Sequence, residues 1–232
     1  MKNIGLCVFA FDITKGMKSY GSLYLLKKQP KTKELIFHAV DSAKKKIKYK
    51  DLSVIVGFES EKLKKRLIEE KLTNNAHIIY NEKYKEKNYS YAFKLYLKTI
   101  LDNSQDLDGV LFLNGNLLIR NIPNYPTKKS WVLVNKESVI PKNNLSCSIN
   151  NKQLNFIFYN LSNHIWKEIM YITIQDLNTI AQRIDLYHDN MFMFEIINIA
   201  NEKQKVSFDT IFCSSKKDIV KINSVKDKKK IS

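Results

Sequence analysis

The chain has 232 residues, of which 44% are apolar, 11% aromatic and 27% charged, a balance that excludes wholesale disorder, collagen and a membrane bundle. A chain of this size buries roughly 70% of its unfolded surface and needs no disulfide or metal to fold. The formal net charge of +16 suggests a nucleic-acid partner, but 36 of the 39 basic residues are Lys, which lacks the planar fork that reads bases.

The elements predicted from the N-terminus alternate short β-rich runs with longer helical ones. Asn3–Phe11 reads as a buried strand, and 34–46 as a helix with Leu35, His38, Ala39, Ser42 and Ala43 on one face. Leu52–Val56 is a second buried strand, ended by Gly57. Residues 59–72 form a charged helix with Leu63, Leu67 and Ile68 inward, and His77–Tyr80 is a short strand. Asn88 opens a helix through Leu101 whose apolar face is Ala92, Phe93, Tyr96, Leu97 and Ile100, and Val110–Leu113 is a fourth strand. This rhythm predicts a parallel sheet covered on both faces, a Rossmann-like half. Beyond it, Trp131–Asn135, Leu154–Tyr159 and 219–223 read as strands with turn-rich links such as 143–155, and 164–183 and 187–200 as helices.

The longest apolar run, Ile4–Phe11, falls far short of the ~20 residues that cross a bilayer, so neither a signal peptide nor a membrane span is expected. Cys7, Cys147 and Cys213 are widely spaced and without CxxC, which predicts reduced thiols, Cys7 inert within its strand, and a cytoplasmic location. The histidines His38, His77, His164 and His188 share no ligand spacing. Residues 1–50 carry 12 basic and 3 acidic side chains, more than half the excess charge. Lys44, Lys45, Lys46, Lys48 and Lys50 suit a helix end, and Lys226–Lys230 a frayed tail. No ribonucleoprotein-like, helix-turn-helix or zinc signature supports a nucleic-acid role.

In such sheets ligands sit beyond the carboxyl ends of the strands. That directs attention to residues 12–24, 57–61, 81–91 and 114–116. IGLCVFAF, DITKGMKSYGS and LYLL are followed by LIFHAVDSAKK, SVIVGFESEK, IIYNEKYKEKNYSYAF (Ile78–Phe93) and VLFLNGNLLI (Val110–Ile119). In this order the segments resemble the sugar-phosphate and choline-phosphate nucleotidyltransferases of GT-A-like fold, the bacterial phosphocholine cytidylyltransferase type above all. DIVKINSVKD near the end is similar to that family's closing Glu-Ile-Asp-Thr segment.

The resemblance implies one domain over 1–232: a Rossmann-like three-layer α/β/α arrangement on a mixed, mostly parallel sheet. Residues 1–120 would be its nucleotide-binding half, and 121–232 its acceptor-side half and basic tail. It implies that Lys15 and Lys18 act on the phosphates, that Ala10, Phe11, Asp12, Gly16 and Met17 hold the nucleotide, and that Glu59, Asn88 and Tyr91 face the acceptor. The partners it implies are a nucleoside triphosphate and a small phosphorylated molecule, with Mg²⁺ as the cofactor of an active enzyme; neither membrane nor nucleic acid is expected. Here the sequence departs from the family: Asn116 and Asn223 stand at the two metal-binding Asp positions, Lys221 at the closing Glu, and Leu23 where a Lys precedes the Leu-Leu strand. Two amides in place of carboxylates remove two negative charges from a hard-cation site.

Simpler roles stand beside these. Asn88 is equally an N-cap for the amide of Ser90 or Tyr91, Tyr84, Tyr89 and Tyr91 suit half-buried packing, and Glu59 suits a helix N-terminus. Asp209 and Asp218 are alternative carboxylates for the second metal position. Two functions remain open: a nucleotidyltransferase, and a catalytically impaired descendant that serves as a nucleotide-binding or assembly module.

Overall fold

Every residue of Ile4–Ala10 (β1) is buried, as a strand covered on both faces requires. The computed structural model describes residues 3–13, 21–27, 29, 32–72, 76–100, 106–140 and 142–230. Parallel to β1 run Asp51–Val56 (β2) on one side and Gly109–Asn114 (β4) on the other, so that Val8 pairs with both Val54 and Leu113. Ala76–Tyr80 (β3) adds to β2 in the same sense. Alternate side chains of β1 enter two separate cores. Leu6, Val8 and Ala10 pack with Ile36 and Val40 of Leu35–Ile47 (α1) and with Leu63 and Leu67 of Ser60–Glu69 (α2). Cys7, Phe9 and Phe11 pack with Phe93, Tyr96 and Leu97 of Tyr89–Ile100 (α3). Burial pushes the Cys7 thiol well up, as expected of an inert core residue.

Helix α1 stops at Lys48, whose backbone is left-handed (φ 49°), with Lys44, Lys45 and Lys46 at its carbonyl pole. Two details differ from expectation. Ile68 is 51% exposed, because Leu63 and Leu67 alone face the sheet and the following residue turns ~100° away. Leu23–Leu25 is a 3₁₀ turn rather than a Leu-Leu strand.

The second half is wound differently. It contributes Leu117–Ile119 (β5), Ser130–Lys136 (β6), Leu145–Asn150 (β7), Gln153–Tyr159 (β8), His164–Thr173 (β9), Ile174–Gln182 (α4), Met193–Gln204 (α5), Phe208–Phe212 (β10) and Ile219–Lys221 (β11). The main sheet has the order β3-β2-β1-β4-β9-β6-β10-β8-β7. Strand β9 runs antiparallel to both β4 and β6, so the sheet is mixed, and parallel pairing is confined to β3-β2-β1-β4 and to the β6–β10 pair. The helix expected from 164 is a ten-residue strand up to Thr173, whose Oγ1 then accepts from the amide of Asp176 and caps α4. Ile165, Ile169, Tyr171 and Ile172 suit a pleated surface, and a helical reading missed it. The link 143–155 contains β7 and a tight hairpin into β8, with Asn151 and Lys152 both at positive φ. Helix α5 begins at Met193, after a short turn at Ile184–Leu186, and β11 pairs with β5 in a separate two-stranded ribbon. Lys226–Lys230 lies in a final 3₁₀ segment, Val225–Lys230. Among the described residues no helix is long and apolar enough to cross a membrane.

Candidate functional site

β1 and β4 end side by side, and the chain turns sharply after β4 because the Gly115 amide donates to the Phe9 carbonyl at 2.9 Å. A Cβ at Gly115 would come within 3.1 Å of the Tyr24 ring, so the approach suits glycine. Beyond these strand ends opens a cavity of about 230 Å³. Phe9, Phe112 and Met170 form its apolar base, Asp12, Asn114, Glu168 and Lys221 its polar group, and Tyr159, Trp166, Phe192 and Phe194 an aromatic wall. The wall is mutually braced: Phe192 stacks on Phe194 at 5.9 Å, and Tyr159 meets Phe194 edge-on at 5.7 Å.

The polar group is a connected chain. The Tyr89 hydroxyl donates to Asn114 Oδ1 at 3.0 Å, Asn114 Nδ2 donates to Glu168 Oε2, and Lys221 Nζ lies 2.5 Å from Glu168 Oε1. Glu168 reaches this position through an irregularity in β9. Between the pairs Val132–Met170 and Val134–Trp166, three residues of β9 oppose Leu133 alone, and Glu168 takes a left-handed backbone (φ 55°). Such a bulge re-aims a side chain out of the pleat. On the opposite side the buried Tyr24 hydroxyl donates to Asp12. Burial raises the Asp12 pKa, and the Tyr24 hydrogen bond and the charge of Lys221 offset only part of the shift. Tyr24 and Tyr89 are pushed well up, chiefly by burial, and stay neutral donors.

Asn116 lies one turn from this group and is buried. Its Nδ2 donates to the Ile222 carbonyl at 3.0 Å, and the Ile222 amide donates to its carbonyl at 3.0 Å. Asn116 therefore adjoins the Ile222–Asn223 segment, while Lys221 pairs with Leu117 across β5 and β11. Asn116 Oδ1 is buried without a partner. That single neutral oxygen does not fit the Mg²⁺ that the family resemblance implies. The nearby carboxylate Glu168 is already engaged by Asn114 and by an ammonium, and the Asp12 carboxylate is engaged by Tyr24. Among the described residues no three His, Cys, Asp or Glu side chains gather as a metal set. Asp209 lies 3.8 Å from Lys129, and Asp218 accepts from the Ser215 amide; neither lines the cavity.

The remaining expected site residues are distributed unevenly. Phe11 and Asp12 line an adjoining cleft of about 470 Å³ together with Asn88, Tyr89 and Phe192. Ala10 is buried inside β1. Lys15, Gly16, Met17 and Lys18 lie outside the described residues. Asn88 Oδ1 accepts from the Tyr89 amide at 2.9 Å, not from Ser90 or Tyr91, because the Ser90 amide is taken by the Met191 carbonyl. Tyr91 lies under Lys83 at 5.5 Å and lines neither cavity. Glu59, at φ 55° ahead of α2, accepts from the Ser22 amide at 2.7 Å and from Lys62, and also lines neither cavity. The Lys62 hydrogen bond holds its carboxyl low. The residues that sequence reasoning missed are Glu168 and the aromatic wall, whereas Asn114 lay in the 114–116 stretch singled out but was given no role. Their one available signal was a lone carboxylate inside the apolar run IWKEIMYI.

The chain belongs to the family described as Domain of unknown function (DUF6564), whose model matches residues 18–182. Among curated proteins none matches. Solved structures share its fold. The CTP:phosphocholine cytidylyltransferase of Streptococcus pneumoniae aligns with a TM-score of 0.75 at 14% identity, over 98% of this chain and 97% of that one. The nucleoside-diphosphate-sugar pyrophosphorylase of Vibrio cholerae RC9 aligns at 0.74 and 10%, over 97% and 98%. The inositol-1-phosphate CTP transferase of T. maritima aligns at 0.73 and 12%, over 100% and 97%. The fold is that of nucleotidyltransferase structures.

Proposed function

We propose that the protein is a nucleotidyltransferase-like protein of GT-A-like, α/β/α layering that transfers a nucleotidyl group from a nucleoside triphosphate to a phosphorylated small molecule. A phosphate oxygen of the acceptor attacks the α-phosphorus, the bond to the bridging oxygen breaks, and pyrophosphate leaves. Holding the reactants in line and neutralising the growing charge carries such a reaction. The observation behind this reading is the cavity at the carboxyl ends of β1 and β4, the place where α/β sheets of this kind hold ligands. Lys15 and Lys18, with Gly16 and Met17, come after β1 in the sequence and are assigned to the phosphates, with Phe11 and Asp12 at the edge of the nucleotide cleft. Asn88 borders the same cleft on the acceptor side.

The acceptor chemistry follows from the wall. The faces of Tyr159, Trp166, Phe192 and Phe194 suit an organic ammonium better than a sugar, which needs many more hydrogen-bonding partners. A phosphorylated amino alcohol of the phosphocholine type is the acceptor class we assign. The test is a thermal-shift panel of CTP, UTP, ATP, GTP and dTTP, followed by a pyrophosphate-release assay with phosphocholine. A triphosphate at ~100 times its Kd contributes about 2.7 kcal/mol, a rise of roughly 5–10 °C. No shift with any triphosphate rules the reading out. Trp166→Leu is expected to raise the acceptor KM roughly 5- to 30-fold and leave the triphosphate shift unchanged.

The second reading is a nucleotide-binding module without turnover, and the Lys221–Glu168 pair beside the amides Asn116 and Asn223 favours it. It predicts the same thermal shift with no pyrophosphate released.

A further inference from the structure

A polyphosphate at the end of β4 can be neutralised by a divalent cation held between carboxylates, or by a positive charge built into the chain. The residues around Asn116 leave no free carboxylate for a cation. Asn116 and Asn223 are uncharged, and the side chain between β11 and the cavity is an ammonium. That ammonium, Lys221 Nζ, is fixed 2.5 Å from Glu168 Oε1, and Glu168 is fixed in turn by Asn114 and by its place in the β9 bulge. Lys221 pairs with Leu117, so it emerges one residue from the Ile222 carbonyl to which Asn116 is tied. A divalent cation placed here would meet the ammonium's repulsion and find one unpartnered neutral oxygen, Asn116 Oδ1.

We infer that the ammonium of Lys221, held by Glu168, takes over the charge role of a divalent cation in this chain, so that the site binds a phosphate-bearing ligand without metal. The inference rests on the polyphosphate reading of the site given above. A tethered ammonium carries one charge rather than two, but it is already in place, and no hydrated metal ion has to be recruited and partly dehydrated. Glu168 is a positioning residue: it touches Lys221 and sets where the charge stands.

Two measurements test this. In the first, CTP is titrated calorimetrically into the full chain with EDTA in excess and again with Mg²⁺. Equal affinity in both is expected. Lys221→Met is expected to weaken binding roughly 10- to 100-fold in EDTA, the usual loss for a charge-assisted hydrogen bond, with Lys221→Arg restoring most of it. Lys221 is partly exposed, so a circular-dichroism spectrum unchanged from wild type checks that Lys221→Met still folds. CTP binding that is lost in EDTA and restored by Mg²⁺ overturns the inference.

In the second, Mn²⁺ alone is titrated into the ligand-free chain and followed by its electron paramagnetic resonance signal. The wild type is expected to take up none at the site. The combined variant Asn116→Asp, Lys221→Glu, Asn223→Asp is expected to gain one ion. Uptake by the wild type that Asn116→Ala abolishes overturns the inference. If no triphosphate binds under any condition, the proposed function fails, and the Mn²⁺ comparison, which uses no nucleotide, decides the charge substitution by itself.

Discussion

The two halves of this sheet are built on different principles. In β1, β2 and β4 almost every residue is buried, and the intervening helices show their apolar face plainly. In β7 and β8 burial is patchy, and β8 leaves Phe156, Phe158 and Tyr159 more than 40% exposed. The halves meet where β9 lies antiparallel against β4, and the cavity opens at that seam. A reading that works for the parallel half therefore sees one side of the site. Asp12 and Asn114 come from the legible half, whereas Glu168, Lys221, Trp166 and Phe194 come from the other.

The largest effect expected from breaking this architecture is at Phe112. Its ring stacks on Phe9 at 6.1 Å and meets Phe93 and Tyr96 edge-on at 5.5 and 5.2 Å. Phe112→Ala is expected to cost about 3–5 kcal/mol, read as a fall in the urea midpoint. If the halves fold as one unit, Trp131→Ala, fully buried in the second half, will lower the same single transition. Two separate transitions would show that the seam joins independent bodies.

Glu34 comes next, because it joins the start of α1 to α2 within the parallel half. It is buried, and Arg66 Nε and Lys27 Nζ reach it at 2.7 and 3.0 Å. Removing Arg66 leaves a buried carboxylate with one partner, so Arg66→Met is expected to cost on the order of 3 kcal/mol. Burial alone would raise the Glu34 pKa, but the hydrogen bonds from Arg66 and Lys27 outweigh it and hold the carboxyl below its ordinary value. The sign follows: with a folded pKa below the unfolded ~4.3, the stabilisation is complete above that value and is lost as pH falls through the folded pKa. Thermal melts taken downward from pH ~6 will show a steeper loss in wild type than in Arg66→Met, and parallel curves would remove Glu34 from the acid response.

Gly109 tests the seam with a smaller change. A Cβ there would lie 2.5 Å from the Ile172 carbonyl oxygen and against the Tyr171 hydroxyl, so β9 must shift to admit it. Gly109→Ala is expected to cost about 1–3 kcal/mol. Since Glu168 lies on the same strand, the variant should also weaken triphosphate binding, whereas a variant of equal instability far from the seam should not.

How much could be read beforehand depended on how each element states its period. The face of α3, from Ala92 to Ile100, was visible residue by residue because its helix packs on one side only. β9 was not, since Lys167 and Glu168 interrupt its alternation at the bulge, and an interrupted period of two passes for a helix. Asn116 and Asn223 were singled out through resemblance alone, and the bond from Asn116 to Ile222 shows that the two segments adjoin. The pairing of Glu168 with Lys221 spans 53 residues and has no local signature. The aromatic wall draws on β8, β9 and the start of α5, three segments that no spacing rule connects.

The smallest expected effect falls on Ile68 of α2, where pattern and structure part by a single residue. Leu63, Leu67 and Ile68 all fit an apolar face in sequence, yet Leu67 is fully buried while Ile68 is half exposed. Leu67→Ala should cost about 2–5 kcal/mol. Ile68→Lys should stay within ±0.5 kcal/mol, since it empties no cavity and strands no polar group. A loss of 2 kcal/mol or more at Ile68 would mean that this surface is covered in solution, and a helix carrying Lys62, Lys64, Lys65 and Arg66 would then have an acidic or apolar neighbour to account for.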